Sequence, residues 1–140
     1  MIYPVFLKTI LRTTNTEGER DEIRYEGRAM AALRENGTWS VRYTDAENHG
    51  QTALQGADLW VSVSRDGDTK SRLLFRVGDL LESTYVTPQG EFAMSTKATY
   101  LQQEVTEEHA EVQVHYELYL SGKLVTTNEL TLTWIPLPKK

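Results

Sequence analysis

Apolar and polar residues alternate along most of the chain, and this period of two is typical of β-strands that bury one face. The clearest case is the segment EVQVHYELYL, residues 111–120. Every second residue from Val112 to Leu120 is apolar or aromatic, and the residues between them are mostly polar. A helical period is almost absent from the rest of the chain. The pattern therefore predicts an all-β protein.

Further alternating runs are separated by short segments such as ENG, RDGD and SGK, which carry the residues that turns prefer. Strands joined by short turns imply antiparallel hairpins, and closing the sheet removes exposed strand edges. We therefore expect residues 1–140 to form a single domain, a closed antiparallel up-and-down β-barrel of eight or nine strands. The predicted runs outside the segment above are residues 2–14, 21–35, 38–44, 57–65, 71–77 and 124–134, with a hairpin at residues 85–94.

The turn TPQG within that hairpin determines which residues face inward. Pro88 and Gly90 suit a three-residue loop with a bulge. Such a loop pairs Glu82 with Thr96 and, if Phe92 points inward, it turns Glu82 into the barrel. A buried carboxylate is costly unless it has a partner. Two interpretations are open: Glu82 lies at the barrel mouth or turns outward, or it meets the polar group of a ligand.

The last hairpin raises a similar question. A loop over residues 121–123 aligns the apolar faces, pairing Tyr116 with Asn128 and Leu118 with Thr126. Two polar side chains, Thr126 and Asn128, then point into the barrel beside Tyr116. They either find partners among their neighbours and buried water, or they hydrogen-bond a ligand.

Charge and composition exclude several classes of function. The net charge is −5 and the isoelectric point about 5.2, whereas a nucleic-acid groove or a membrane-surface role normally needs a basic footprint. The chain has no cysteine, so disulfides, thiolate nucleophiles and cysteine-ligated zinc are excluded. The apolar N-terminal segment lacks the basic start and cleavage site of a signal peptide. We therefore expect a cytoplasmic protein that binds neither nucleic acid nor membranes.

The sequence contains few patterns that indicate a metal site, a cofactor site or a catalytic site. The three histidines, His49, His109 and His115, do not have the spacing of a metal site. Phosphate-binding loops, dinucleotide fingerprints and nucleophile elbows are absent. We therefore predict no cofactor, no metal and no catalytic residue.

The segment GQTALQGADLWVSVSRDGDTKSRLLFRVGDLLESTYVTPQGEFAMSTKATYL resembles the YwiB-like family of small bacterial β-barrels, a domain of unknown function. The resemblance extends from about Lys8 to Trp134 and implies a calycin, or lipocalin-like, barrel. It brings no assigned binding or catalytic residues. The matching elements are Gly50-x-Thr52, Arg65-x-Gly67, Phe75 with Gly78, Tyr85-x-Thr87-x-x-Gly90 and Thr96.

The leading hypothesis is that the barrel binds a small, largely apolar ligand in its lumen, because a small barrel is just wide enough for one. Alternatively, these side chains simply pack against one another. The aromatic residues predicted to line the lumen are Tyr25, Trp39, Tyr43, Phe75, Phe92 and Tyr116. The polar residues predicted to orient the ligand are Glu82, Thr96, Thr126 and Asn128.

Two other hypotheses belong to different classes. In the first, the barrel has a packed core and acts as an interaction or assembly module. Its outer face would then carry the contact, for example that of a homodimer, through Met30, Trp60, Leu74 and Tyr119. In the second, the protein is an enzyme that uses lumen groups such as Glu82 and Tyr116 for acid–base chemistry.

Overall fold

A computed structural model describes residues 1–138 of the chain, which fold into ten β-strands. None of the described residues belongs to a helix that is long and apolar enough to cross a membrane. The strands are β1 Ile2–Asn15, β2 Arg20–Leu33, β3 Trp39–Asp45, β4 Gly50–Ala57, β5 Trp60–Asp66, β6 Lys70–Phe75, β7 Leu80–Thr87, β8 Gly90–Val105, β9 Ala110–Leu120 and β10 Lys123–Pro136.

Each strand pairs antiparallel with the next one in the chain, and β1 pairs with β10 to close the barrel. The predicted all-β, closed, up-and-down architecture is confirmed. The described residues contain ten strands, a small excess over the predicted eight or nine. The strand that the predicted runs did not cover is β4. Its inward face is Thr52, Leu54 and Gly56, and one apolar side chain in three is too weak an alternation to recognise.

Backbone pairing is thin at two places around the barrel. Between β2 and β3 the register covers residues 30–33 of β2 with 39–42 of β3, so the first part of β2 is paired with β1 alone. Between β6 and β7 the register holds one pair, Lys70 with Val86. Few ladder hydrogen bonds therefore join the strands at these two seams.

Inward-facing side chains of the strands form one hydrophobic core. The predicted alternation of β9 is confirmed, with Val112, Val114 and Tyr116 buried and the residues between them more exposed. Burying apolar area in this way stabilises the fold by about 25 cal/mol for each Å² removed from water. The largest fully buried side chains include Trp39, Trp134, Phe75, Leu7 and Leu132.

The β7–β8 hairpin differs from its predicted register by one residue. Thr87 pairs with Gly90, so the loop has two residues, and Glu82 pairs with Ser95 rather than with Thr96. The Thr87 hydroxyl holds this loop, because it accepts the Gln89 N–H and donates to the Gly90 carbonyl, both at 3.1 Å. A shift of one residue exchanges the two faces of a strand. The inward face of β7 is therefore that of Leu81, not that of Glu82.

The β9–β10 hairpin has the predicted pairs but reaches them through a different loop. Tyr116 pairs with Asn128 and Leu118 with Thr126, as predicted. The loop itself has two residues, Ser121 and Gly122, which both have positive φ (51° and 82°), as a type I′ turn requires. A bulge between Leu124 and Thr126 then shifts the register by one residue. The bulge restores the match of apolar faces that the short turn alone would break.

Candidate functional site

One end of the barrel, which we call the closed end, is filled by two tryptophans. The rings of Trp39 and Trp134 pack at 5.7 Å between centroids and 59° between planes. The indole N–H of Trp39 donates to the Gln103 side-chain oxygen at 2.6 Å, and the Gln103 amide donates to the carbonyls of Ala57 and Trp60. Gly56 lies beneath the Trp39 ring, where a side chain has no room. Large side chains therefore pack closely at this end.

The opposite end of the lumen contains a cavity of about 240 Å³. Its wall comes from the last part of β1 and β3, the first part of β2 and β4, and inward residues of β5, β6, β9 and β10. Phe75 and Tyr116 pack at 4.4 Å between ring centroids and separate the cavity from the closed end. The apolar part of the wall is Leu11, Ile23, Leu54, Val63, Leu73 and Leu130.

A stacked tyrosine pair forms the cavity wall where β2 and β3 separate. The rings of Tyr25 and Tyr43 lie 3.9 Å apart between centroids, with 20° between their planes. The Tyr25 hydroxyl donates to the Arg28 carbonyl at 3.1 Å and covers Gly27, which has no Cβ to obstruct it. The stack thus bridges a stretch of the seam that has no ladder hydrogen bonds.

Five polar side chains meet inside this cavity, and we call them the anchor cluster: Thr9, Tyr43, Thr52, Arg65 and Tyr116. Three of them form a row, because Thr52 pairs with Tyr43 on one side and with Arg65 on the other. Burial raises the pKa of Tyr116 to about 12, and the nearby charge of Arg65 opposes part of that rise. Burial also raises the pKa of Tyr43, against the opposing effects of Thr52, Arg65 and Thr9.

The loop after β3 forms part of the cavity rim, and its Asn48 joins it to the loop between β5 and β6. The Asn48 side chain donates to the Thr69 carbonyl at 3.0 Å and accepts the Thr69 N–H at 2.8 Å. On the rim, Asp45 accepts the Thr52 hydroxyl at 3.2 Å and the Asn48 N–H at 3.3 Å, one on each oxygen. An exposed His49–Asp68 ion pair lies on the same loops, and its hydrogen bond raises the pKa of His49. The rim carboxylate therefore already has protein donors.

Of the six aromatic residues predicted to line the lumen, three surround this cavity: Tyr25, Tyr43 and Tyr116. Trp39 belongs to the closed end, and Phe75 is fully buried behind Tyr116. Phe92 does not line this cavity, and its side chain is 44% exposed near the start of β8.

The four polar residues predicted to orient a ligand lie outside the cavity lining. Glu82 is exposed, a correction that follows from the one-residue shift of the β7–β8 register. Thr96 is buried, but its hydroxyl donates to the Leu74 carbonyl at 2.7 Å. Asn128 is buried and hydrogen-bonded to Thr13 at 3.0 Å and to Thr126 at 2.9 Å. Neighbouring groups thus hydrogen-bond Thr96, Thr126 and Asn128.

The positions of these residues also bear on the enzyme hypothesis and on the interaction-module hypothesis. The enzyme hypothesis loses its lumen carboxylate, since Glu82 faces outward. The four outer apolar residues, Met30, Trp60, Leu74 and Tyr119, lie on β2, β5, β6 and β9, of which β5 and β6 alone are neighbours. They do not form one continuous patch, and a homodimer contact through them stays a prediction.

The most informative residue of the cavity, Arg65, was not predicted as a site residue. Its position could have been inferred, because alternation in WVSVSR places it on the same inward face as Val61 and Val63. Thr52 lies on β4, which the predicted runs do not cover, and Thr9 carries no signal beyond its place in an apolar run. Within residues 1–138, no three histidine, aspartate or glutamate side chains are grouped closely enough to hold a metal ion.

Comparisons with known proteins agree with the barrel and with the family resemblance. A match to the Domain of unknown function (DUF1934) covers residues 7–132. The crystal structure of the ywiB protein from Bacillus subtilis superposes with a TM-score of 0.86 at 18% identity, over 98% of this chain and 94% of that one. At that identity the likeness shows the fold alone. No curated protein matches the chain. The chain therefore belongs to the DUF1934 family of YwiB-like β-barrels.

Proposed function

We propose that this protein binds a small, largely apolar ligand in the cavity at the open end of its barrel. The observation that carries the proposal is the difference between the two ends of the lumen. Large side chains pack against one another at one end, and the other end keeps a cavity of about 240 Å³. Close packing is the rule in protein interiors, so a space of this size inside a small barrel calls for an explanation.

The chemistry of the wall suits such a ligand. Aliphatic side chains and two stacked tyrosine rings would cover the apolar body, and the anchor cluster would face its polar end. Ligand pockets commonly combine a mostly apolar lining with a few convergent polar groups.

The size of the cavity limits the ligand. An apolar cavity of about 150 Å³ accommodates benzene, and pockets for drug-sized ligands begin at about 300 Å³. A cavity of 240 Å³ therefore fits a molecule with one ring or a short aliphatic chain. Larger molecules would have to extend past the rim, near Thr44 and Glu47.

Native mass spectrometry of the protein purified from its own host, followed by solvent extraction, tests the proposal. Leu130→Trp places a larger ring in the cavity and reduces its volume, and Thr131→Trp places the same ring on the outer face of β10 as a matched control. We expect an extra mass on the wild type and on the control, lost on denaturation, and an unliganded mass for Leu130→Trp. A clean unliganded mass in repeated wild-type preparations, or an extra mass that Leu130→Trp retains, would contradict lumen binding.

A further inference from the structure

Arg65 is the inward-facing cation of the cavity, and it has no protein counter-ion among the described residues. It lies on the same face of β5 as Val61 and Val63, which are buried. The salt bridges within residues 1–138 do not include it. The other cavity arginine, Arg24 on the rim, is already paired with Glu22 at 2.7 Å.

The carboxylates that line the cavity are those of Asp45 and Glu47, and neither forms a salt bridge with Arg65. Asp45 already has hydrogen-bond partners within the protein. Its two oxygens accept hydrogen bonds from Thr52 and from the Asn48 N–H. A half-buried guanidinium beside apolar walls loses part of its hydration, and that loss is costly when no anion compensates for it. The fold thus holds Arg65 in a position that an external anion would stabilise.

A second polar group points to the same place. Tyr116 is 4% exposed and lines the cavity. The side-chain hydrogen bonds within the described part of the chain do not involve its hydroxyl, and its surroundings act on it through burial and the charge of Arg65. Buried hydroxyls usually have partners. A ligand oxygen held by Arg65 would supply one.

We infer that the ligand is an amphipathic anion whose carboxylate or phosphate group is bound by Arg65, with the Tyr116 hydroxyl as a second donor. The guanidinium presents a planar set of N–H donors that matches either oxyanion with two parallel hydrogen bonds. Thr52, which pairs with Arg65 across the sheet, holds the neighbouring position in the row. The apolar tail would then lie against Leu54, Val63 and Leu130. This inference rests on the proposed function. It adds the charge of the ligand and the residue, Arg65, that binds the charged group.

Four eight-carbon probes separate the chemistry, measured by titration calorimetry at pH 7.5: octanoate, octyl phosphate, octan-1-ol and octylamine. A charge-assisted hydrogen bond contributes about 1.5–3 kcal/mol. We therefore expect at least one of the two anions to bind about ten- to hundredfold more tightly than octan-1-ol, and octylamine to bind most weakly. Whether octanoate or octyl phosphate binds better identifies the head group.

Arg65→Gln should remove the preference for the anion while octan-1-ol still binds. Arg65→Lys should retain part of the preference for the anion, since lysine keeps the positive charge but lacks the planar set of N–H donors. Arg72→Gln is the matched control, because it makes the same change in net charge at an exposed position of β6. Thermal unfolding of each variant confirms that it is folded.

The two proposals fail in different ways. If octan-1-ol binds as tightly as both anions, or if Arg65→Gln keeps the anion preference, the charge inference is wrong and lumen binding stands. If Arg72→Gln loses the preference as fully as Arg65→Gln, the effect is one of net charge and the inference is also wrong. If none of the four probes binds, both the anion inference and its basis in lumen binding are contradicted for ligands of this size.

Discussion

The two ends of this barrel are built from the same alternating strands, yet one is solid and the other is hollow. At the closed end, Trp39 and Trp134 meet in the lumen, and Gln103 satisfies the Trp39 indole. At the cavity end, the aromatic residues Tyr25 and Tyr43 stack against each other at the seam between β2 and β3. Their rings cover the wall and leave the centre of the lumen free.

This difference shows that the number of aromatic residues does not decide whether a small barrel has a cavity. What matters is the position of the large side chains along the barrel axis, and which groups they pack against. Trp39 has room over Gly56, so its ring can fill the lumen. Tyr25 folds back over Gly27 and bonds to the backbone of its own strand. Glycine therefore supports both outcomes, a filled end and an open one.

The largest expected effect contrasts one aromatic residue from each end. Trp39→Ala should lower the free energy of unfolding by about 3–5 kcal/mol, because it leaves a cavity in a packed region. Tyr43→Ala should lower it by about 1–2 kcal/mol, because Tyr43 is half-buried beside an existing space. Urea denaturation of both variants measures the difference. Equal losses would mean that the cavity end is as tightly packed as the closed end, and Trp39→Phe serves if Trp39→Ala does not fold.

A smaller contrast comes from two glycines. An added Cβ at Gly56 would lie 2.8 Å from the Trp60 carbonyl oxygen and 2.8 Å from the Trp39 ring, neither of which can move easily. We expect Gly56→Ala to cost about 1–3 kcal/mol. The same change at Gly27 meets the Tyr25 hydroxyl at 2.8 Å, the free end of a side chain.

Gly27→Ala should therefore cost less than about 1 kcal/mol, since Tyr25 can swing aside and alanine reduces the entropy of the unfolded chain. The two variants are compared by urea denaturation. A Gly27→Ala variant that is destabilised as much as Gly56→Ala would show that the tyrosine stack is held rigidly.

The last contrast is one of pH, and it isolates Tyr116 at the floor of the cavity. Its pKa is about 12 in the fold against 10.0 for a free tyrosine. A raised pKa contributes stability that is present below pH 10 and lost as the pH rises through 12. Between pH 9 and pH 11 the wild type should lose about 1.4 kcal/mol more than Tyr116→Phe, as one unit of pKa corresponds to about 1.4 kcal/mol.

Urea denaturation of both proteins at the two pH values gives this difference. The other tyrosines titrate in both proteins, so their contribution cancels in the comparison. A difference near zero would mean that the Tyr116 hydroxyl is hydrated, and that the cavity floor is open to water.

Local patterns predicted the fold because alternation is a property of neighbouring residues. Val112, Val114 and Tyr116 face inward for the same reason that any period-two run buries one side. The β9–β10 pairs were also predictable, because matching apolar faces outweighs the loop, and a bulge adjusts the difference. The same reasoning applied to β7 would have placed Leu81 inward and Glu82 outward. The residues of the turn alone therefore indicate a register that is off by one residue.

The cavity was not predictable in this way. Tyr43, Thr52 and Arg65 are separate in the sequence, on β3, β4 and β5. They form a row only because the register of these three strands places them opposite one another. Arg65 is recognisable as inward-facing from alternation, but its lack of a counter-ion depends on where Asp45 and the rim loops lie. Charge pairing is a property of the assembled barrel.

By itself, the sequence determined an all-β barrel, its family, the inward face of most strands and the exclusion of cysteine chemistry. These follow from composition and from contacts between near neighbours. The tertiary structure alone decided which inward residues fill the lumen and which surround a space. That decision depends on strand register, which a shift of one residue inverts, and on the level along the barrel axis at which side chains from different strands meet.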